Sequence, residues 1–333
     1  MTIYVGIGSL IDLELEQTIK DAITNADSPE DIFVGVALNC REEALSPEFL
    51  AWAEGVIETF ISNPRVTFRI FSGKENDGLA NARINAASMY SGQDYFLQVD
   101  AHTMFLQGWD TQLIDLHKKA VLETKTEKTI LTAYLGQYSR DVDSGERVIM
   151  TTAPSYPVQH PYTRTLIGLD SAGKPVSINI GVPTLQADPI NTFPESLQTN
   201  KEILPSIKSN GQFIFGNHTY PKNIGLPRYV LFWEEDPIQS INLFDAEFAF
   251  AFPNVDLKVL HYYTNHLVEN EDGSKRQLPV SPEASTLITM RNNYLQFMYD
   301  PTNALKKMLW EEWSHIKSEG AQTLEYYVPL TFR

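Results

Sequence analysis

The first hundred residues alternate between short apolar runs and amphipathic stretches, and this alternation restricts the fold more than any other feature. Apolar runs rich in β-branched and aromatic residues predict four strands, and helical spacing predicts helices between them. The predicted strands cover residues 3–7, 31–38, 66–71 and 95–99. The predicted helices cover residues 14–26, 46–63 and 78–90. Strands separated by helices imply an α/β fold with a mostly parallel sheet, right-handed crossovers and flanking helices.

The fourth predicted strand ends in Asp100-Ala101-His102, a carboxylate and an imidazole separated by one residue. In an extended chain, residues i and i+2 point the same way, so these two side chains can converge on one ion. Open α/β sheets bind ligands at the carboxyl ends of their strands. The pair therefore predicts a metal site at this edge of the sheet. The alternative is a polar strand end that turns into a loop.

The composition limits the class of protein. A length of 333 residues allows one large domain or two ordinary ones. The net charge of −16 argues against a broad nucleic-acid-binding surface, although not against a local basic groove. The single cysteine, Cys40, rules out an intramolecular disulfide, and no apolar run reaches transmembrane length. Because the start of the chain has no basic signal-peptide region, we expect a soluble cytoplasmic protein.

Beyond residue 136 the pattern loosens, and proline, glycine, asparagine and serine become frequent up to about residue 230. Short β runs at residues 176–180 and 212–215 predict an antiparallel, loop-rich region that could build an acceptor pocket. The remaining predicted helices cover residues 110–123, 238–248 and 302–317, and the remaining predicted strands cover residues 129–134 and 258–263.

Further candidate site residues lie in this second half. His261 belongs to an apolar strand, where a histidine is either a core residue or a metal ligand, and the upstream Asp-x-His pair makes these two interpretations equal. Glu234 and Glu235 follow an apolar run. Carboxylates there suit a solvated helix N-terminus, which the helix dipole favours, or a group that orients an acceptor hydroxyl.

Two other patterns are given structural interpretations. Asp141-Val142-Asp143 matches Asp-x-Asp metal motifs, but its polar surroundings closing on glycine are typical of a surface turn. Gly6-Ile7-Gly8 begins like a dinucleotide fingerprint, but Ile11 occupies the third glycine position, so we reject this interpretation.

A metal-dependent phosphoesterase is a second hypothesis. Metallophosphoesterases carry Asp-x-His, then Gly-Asp, then Gly-Asn-His followed by an acid. This chain has Asp100-Ala101-His102, Gly108-Trp109-Asp110 and Gly216-Asn217-His218, with Thr219 in place of the acid. In that family the first element ends the first strand, whereas about three βα units precede it here.

The segments around Asp100 resemble glycosyltransferase family 60, whose members include cytoplasmic hydroxyproline N-acetylglucosaminyltransferases. The similarity runs in order from about residue 30 to residue 265, and it is most specific around Asp100. It is carried by residues 78–83, 92–102, 105, 108–110, 130–134, 231–235 and 252–261. Trp233 replaces the glycine that the family has before its acidic pair, and the tail after His266 has no counterpart.

The resemblance implies a GT-A fold in which Asp-x-His replaces the usual Asp-x-Asp motif. It implies a retaining transferase that takes a sugar from a nucleotide diphosphate donor, most simply a UDP-sugar. It implies no membrane partner for the protein. Mn²⁺ (or Mg²⁺) would be held by Asp100, His102 and His261. Arg83 and Asn39 are candidates for donor binding together with Asp100, since a guanidinium suits phosphate geometry. Glu235, and after it Glu234, would orient the acceptor hydroxyl.

The same resemblance implies a GT-A domain over residues 1–265, followed by a helical extension over residues 266–333. Residues 1–135 would form the nucleotide-sugar-binding half and residues 136–265 the acceptor half. The acceptor would be a hydroxyl on a protein, a small molecule or a modified DNA base. Phage-encoded transferases that modify hydroxylated DNA bases are therefore an alternative, with the host cytoplasm as their location. A non-catalytic sugar-nucleotide-binding protein is a third.

Overall fold

The computed structural model describes eleven stretches of the chain, which together contain five α-helices and sixteen strands. These stretches are residues 1–40, 46–73, 78–141, 144–169, 175–189, 201–206, 209–224, 226, 235–263, 267–269 and 275–277. The helices are α1 (Leu15–Thr24), α2 (Pro47–Phe60), α3 (Leu79–Ala87), α4 (Trp109–Thr124) and α5 (Glu235–Asp245). The strands are β1 (Ile3–Ser9), β2 (Ile32–Cys40), β3 (Val66–Ser72), β4 (Tyr95–Asp100), β5 (Thr103–Phe105), β6 (Thr129–Thr132), β7 (Gly136–Arg140), β8 (Arg147–Thr151), β9 (Ser155–Leu169), β10 (Pro175–Pro189), β11 (Ile203–Pro205), β12 (Phe213–Asn217), β13 (Ala249–Pro253), β14 (Val259–Tyr262), β15 (Leu267–Glu269) and β16 (Lys275–Gln277).

Eight strands form the main sheet, in the order β11-β13-β6-β12-β4-β1-β2-β3. The four strands β4, β1, β2 and β3 are parallel to one another, as are β6 and β13. Strand β12 lies antiparallel between β4 and β6, and β11 lies antiparallel on β13. The predicted α/β class with a mostly parallel sheet is confirmed. Both predicted halves of the domain supply strands to this one sheet, and their division stays a prediction.

Hydrophobic cores lie on both faces of the main sheet because side chains alternate along its strands. Ile3, Val5 and Ile7 of β1 pack into the core covered by α1, α2 and α4. Tyr4, between them, points into the opposite core, which α3 and α5 cover. Helix α3 lies so close to β1 that a Cβ on Gly8 would sit 2.6 Å from the Cβ of Ala82. This close packing explains the Gly-Ile-Gly sequence without a dinucleotide.

A second sheet, in the order β5-β14-β7-β8, begins where β4 ends. The chain bends after Asp100 and at once forms β5, on which β14 pairs antiparallel with His261 opposite Thr103. The backbone N–H of Tyr262 also donates to the His102 carbonyl, at 3.2 Å. This pairing places His261, from late in the chain, beside the carboxyl end of β4.

One strand is much longer than the sequence predicts. The short run at residues 176–180 belongs to β10, which pairs with β9 over fifteen residues in a two-stranded hairpin. Prolines within these strands resemble turn residues in the sequence. Proline is tolerated in an edge strand where no backbone N–H donor is needed, and here Pro161 lies opposite Pro183.

Helix α5 begins at Glu235, three residues before the predicted start. The proline in its first turn is compatible with this earlier start, because a proline there loses no intrahelical hydrogen bond. The helix ends before Glu247, whose φ of 66° is incompatible with a continued α-helix. The predicted helix at residues 302–317 and the C-terminal extension lie outside the described residues. In the part of the chain that the structure describes, no helix is long and apolar enough to cross a bilayer.

Candidate functional site

The three predicted metal ligands lie together at the carboxyl end of β4. The ligand atoms of Asp100, His102 and His261 are all within 4.8 Å of one another. Asp100 Oδ2 is 2.9 Å from His261 Nε2 and 3.9 Å from His102 Nε2. The two imidazole rings meet edge to face, with their centroids 4.7 Å apart. No other group of three such ligands is found within the described residues.

The geometry of this group fits a divalent cation. Two ligand atoms at right angles around an ion, each about 2.1 Å from it, lie about 3.0 Å apart. The distance of 2.9 Å between Asp100 Oδ2 and His261 Nε2 is close to this value. One carboxylate with two imidazoles is a donor set that suits first-row transition metals such as Mn²⁺ better than it suits Mg²⁺.

Arg83, predicted as a donor-binding residue, lies behind Asp100 and is buried in α3. Its Nη1 donates to the Val99 carbonyl at 2.8 Å, its Nε donates to Glu235 Oε1 at 3.1 Å, and its Nη2 donates to Asp100 Oδ1. Since Oδ1 is engaged in this way, Oδ2 faces the two imidazoles. Burial alone would raise the pKa of Asp100, but the Arg83 guanidinium and the His261 hydrogen bond hold that pKa well below its usual range.

Glu235, the predicted acceptor-side carboxylate, is the first residue of α5 and is only 3% exposed. Burial raises the pKa of its carboxyl to about 7, although the nearby Arg83 charge acts in the opposite direction. The carboxyl group lies against Gly211, where an added Cβ would be 2.5 Å from the Glu235 carboxyl carbon. Glu234 lies outside the described residues.

The two histidines differ in their surroundings. Burial lowers the pKa of His261 to about 4, so this imidazole is neutral near pH 7. Burial also acts to lower the pKa of His102, but a hydrogen bond to Asp12 and the charge of Asp100 outweigh it and raise that pKa. His102 Nδ1 lies 2.8 Å from Asp12 Oδ2, which leaves its Nε2 on the side of Asp100.

Sequence reasoning did not identify Asp12. This residue lies in the segment between β1 and α1, where its Oδ1 accepts a hydrogen bond from the Glu14 backbone N–H at 2.8 Å. Its place in the sequence could have indicated that it lies near the site, because β1 is parallel to β4 and Gly8 lies opposite Asp100 in the register. An acid four residues beyond Gly8 therefore falls at the same edge of the sheet.

Asn39, the other predicted donor-binding residue, is buried near the carboxyl end of β2. It lies opposite Phe71 of β3, with β1 between β2 and the strand that carries Asp100. It therefore shares the edge of the sheet with the candidate metal ligands. Its contact with a donor stays a prediction.

The elements of the phosphoesterase pattern do not meet. Asn217 lies opposite Tyr95, at the amino end of β4, whereas Asp100 is at the carboxyl end, five residues or about 16 Å away. Asp110 accepts hydrogen bonds from the backbone N–H groups of Asp27 and Ser28, at 2.8 and 3.1 Å. The phosphoesterase hypothesis therefore has no assembled site.

The Asp-x-Asp match at residue 141 also has a structural role. Asp141 Oδ1 accepts from the backbone N–H of Ser144 at 2.8 Å, within the turn between β7 and β8. This contact agrees with the predicted surface turn, and residues 142 and 143 lie outside the described part.

The model of the family described as Glycosyltransferase (GlcNAc) matches residues 50–267, which include all three candidate ligands, Arg83 and Glu235. The chain belongs to this glycosyltransferase family. The prediction of a glycosyltransferase is thereby confirmed at the level of the family, and the narrower assignment to family 60 stays a prediction. No curated protein matches the sequence significantly.

One similar solved structure shows the fold. The crystal structure of GalNAc-T7 with UDP, GalNAc and Mn²⁺ has a TM-score of 0.56 at 15% identity, over 99% of this chain and 52% of that one. The chain thus spans about half the length of that protein, and the predicted GT-A fold is confirmed. The S. aureus TarS structure of residues 1–349 has a TM-score of 0.42 at 12% identity, covering 79% of this chain and 60% of its own. A second S. aureus TarS structure has a TM-score of 0.46 at 12% identity, covering 97% and 44%.

Proposed function

We propose that this glycosyltransferase moves a sugar from a nucleotide diphosphate donor, UDP-linked, to a hydroxyl acceptor, with retention at the anomeric carbon. A divalent cation would be held by Asp100, His102 and His261. The observation that carries the proposal is the convergence of these three side chains at the carboxyl end of β4. In an open α/β sheet this is the edge where ligands bind.

The chemistry of sugar transfer requires positive charge at the leaving group. The transition state resembles an oxocarbenium ion while negative charge builds on the departing diphosphate. When bound, the cation supplies charge that neutralises this group and acts as a Lewis acid. Asp100 and the two imidazoles would hold the ion, and Arg83 keeps Asp100 ionised with Oδ2 on the side of the imidazoles. We assign no nucleophile.

We assign Glu235 to the acceptor side, where its carboxylate would orient the hydroxyl that attacks the sugar, with Glu234 as the neighbouring alternative. A pKa of about 7 suits a group that exchanges a proton near neutral pH. Arg83 connects Glu235 to Asp100, so it acts in this proposal as a positioning residue and not as a direct phosphate ligand. Asn39 would contribute to donor binding from β2, which β1 separates from β4.

Mn²⁺ is the preferred ion in this proposal, because imidazole ligands favour it over Mg²⁺. The GalNAc-T7 structure contains UDP and Mn²⁺, which supports the same pairing here. The acceptor would be a hydroxyl of a protein or small molecule in the cytoplasm, as in family 60. The net charge of −16 disfavours a DNA acceptor, because phosphate contacts require clustered lysine and arginine.

Thermal unfolding with UDP, in the presence of Mn²⁺ or of EDTA, tests the donor and the metal together. At a hundredfold excess over its dissociation constant, UDP should stabilise the protein by about 2.7 kcal/mol, and only with Mn²⁺. His102→Ala should abolish this gain. His218→Ala is the matched control, since His218 is exposed beside the amino end of β4 and should leave the gain unchanged. Equal stabilisation by UDP in EDTA would contradict the proposed role of the metal.

Release of UDP from UDP-sugars, measured with hydroxyl acceptors, tests the assignment of the two carboxylates. Asp100→Asn should lose both turnover and Mn²⁺-dependent UDP binding, because it removes a ligand of the ion. Glu235→Gln should lose turnover while it keeps Mn²⁺-dependent UDP binding, because the amide preserves the shape without the charge. Full turnover in Glu235→Gln would remove Glu235 from the proposed chemistry.

A further inference from the structure

The side chain of Asp12 bridges the backbone of one element and the imidazole of another. Its Oδ1 accepts from the backbone N–H of Glu14 at 2.8 Å, and its Oδ2 lies 2.8 Å from His102 Nδ1. The Asp12 side chain is 10% exposed and that of His102 is 24% exposed, so this contact is partly shielded from water. Each carboxylate oxygen thus has a defined partner.

This contact determines which nitrogen of His102 carries the proton. A neutral imidazole has one N–H and one lone pair, and an ionised carboxylate can only accept a hydrogen bond. Next to Asp12, the proton of a neutral His102 therefore lies on Nδ1. The lone pair then lies on Nε2, the nitrogen that is on the side of Asp100, at 3.9 Å from its Oδ2.

We propose that Asp12 is a positioning residue for the metal site, which fixes the tautomer and orientation of His102 so that Nε2 can bind the cation. The inference rests on the proposed function, because it assumes that His102 is a ligand. Ligating histidines commonly donate their second N–H to a carboxylate, and loss of that partner typically weakens metal affinity by about 10–100-fold.

The structure also defines the most informative substitution, Asp12→Asn. The Glu14 N–H can only donate, so the asparagine oxygen must stay on it and the NH₂ group must face His102 Nδ1. Nδ1 would then have to accept, which moves the imidazole proton to Nε2 and blocks the ligand position. A carboxylate that merely held the segment between β1 and α1 in place would keep its main backbone contact in this variant.

The matched control is Asp31→Asn. It removes the same charge, but Asp31 precedes β2 at the opposite end of the strands and pairs with the amino terminus at 3.0 Å. This variant should bind the ion like the wild-type protein. It thereby separates the local hydrogen bond from the general loss of negative charge.

The first measurement is the dissociation constant of Mn²⁺ alone, followed for the full chain by the loss of the free-ion EPR signal. Asp12→Asn should raise this constant about 10–100-fold, and Asp31→Asn should change it less than about twofold. Equal affinity of the wild-type protein and Asp12→Asn would overturn the inference while leaving the metal site intact. No Mn²⁺ binding by the wild-type protein would instead overturn the proposed metal dependence, and this inference with it.

The second measurement needs no metal and does not depend on turnover. The ¹⁵N chemical shifts of His102, identified by their loss in His102→Gln, report the tautomer in metal-free protein at about pH 9, where imidazoles are neutral. The wild-type protein should carry the proton on Nδ1 and Asp12→Asn should carry it on Nε2. A wild-type proton on Nε2 would overturn the inference even if the variant failed to fold.

Discussion

Replacement of Arg83 by methionine tests whether the buried guanidinium holds the site together. Methionine fills much of the same volume but has no donors, so the change removes the hydrogen bonds to Asp100, Glu235 and the Val99 carbonyl. Both carboxylates would then lose their shared positive partner in a region shielded from water. We expect a large loss of stability, and this loss should be measurable without metal or donor.

The contacts of Arg83 set the size of this loss. All three hydrogen bonds are donated by the charged guanidinium, and such a bond contributes about 1.5–3 kcal/mol. The three losses are not additive, because Glu235 can become protonated and so avoid an unpaired buried charge. Loss of one partner of a buried ion pair costs about 3–5 kcal/mol, and we expect a value in this range. The cost should also grow as the pH rises above about 7, since without Arg83 the Glu235 pKa would rise further.

Thermal unfolding of the full chain in EDTA, at several pH values, measures the effect. A cost of about 3–5 kcal/mol corresponds to a fall in Tm of about 4–7 °C for a protein of this size. Arg69→Met is the control, since Arg69 is an exposed residue of β3 and its loss should change stability by less than about 0.5 kcal/mol. If Arg83→Met and Arg69→Met have the same Tm, the guanidinium does not organise the site.

Two further changes probe Glu235. Gly211→Ala would place a Cβ 2.5 Å from the Glu235 carboxyl carbon and should cost about 1–3 kcal/mol in chemical denaturation, whereas Gly55→Ala in α2 meets no atom within 4 Å and should stabilise slightly. The reverse order would show that Glu235 is not packed on Gly211. Glu235→Gln should remove a pH dependence of the stability. The pKa of Glu235 is about 7 in the folded protein, whereas the ordinary value is 4.5. Between these two pH values, the unfolding free energy of the wild-type protein should therefore fall by about 3 kcal/mol relative to that of the variant. Parallel Tm curves between about pH 4.5 and 7 would contradict the raised pKa.

The repetitive part of the fold could be predicted from the sequence because its physical cause is local. Neighbouring residues alone identify the short apolar runs that form β1 and β4, and the start of α2 at Ser46 and Pro47. Ser46 does accept a hydrogen bond from the Phe49 backbone N–H, at 3.1 Å. The Asp-Ala-His motif was likewise found because both residues lie in one short segment.

The completion of the site depends on contacts that sequence spacing does not reveal. Asp100 and His102 approach each other through a bend and not along an extended strand. His261 reaches them because β14 pairs with β5, a strand of only three residues that is too short to recognise from its pattern. Asp12 depends on the tertiary contact of the segment after β1, and the role of Arg83 depends on its burial behind Asp100.

Arg83 binds two carboxylates, and their surroundings shift the two pKa values in opposite directions. Asp100 has its pKa held well below the usual range, so it stays a fixed anion suited to a cation. Glu235 has its pKa raised to about 7 by burial, so it can gain or lose a proton near neutral pH. Environments that drive two neighbouring pKa values apart commonly separate an electrostatic role from an acid–base role. This difference supports Asp100 as the metal-side group and Glu235 as the group that acts on the acceptor hydroxyl.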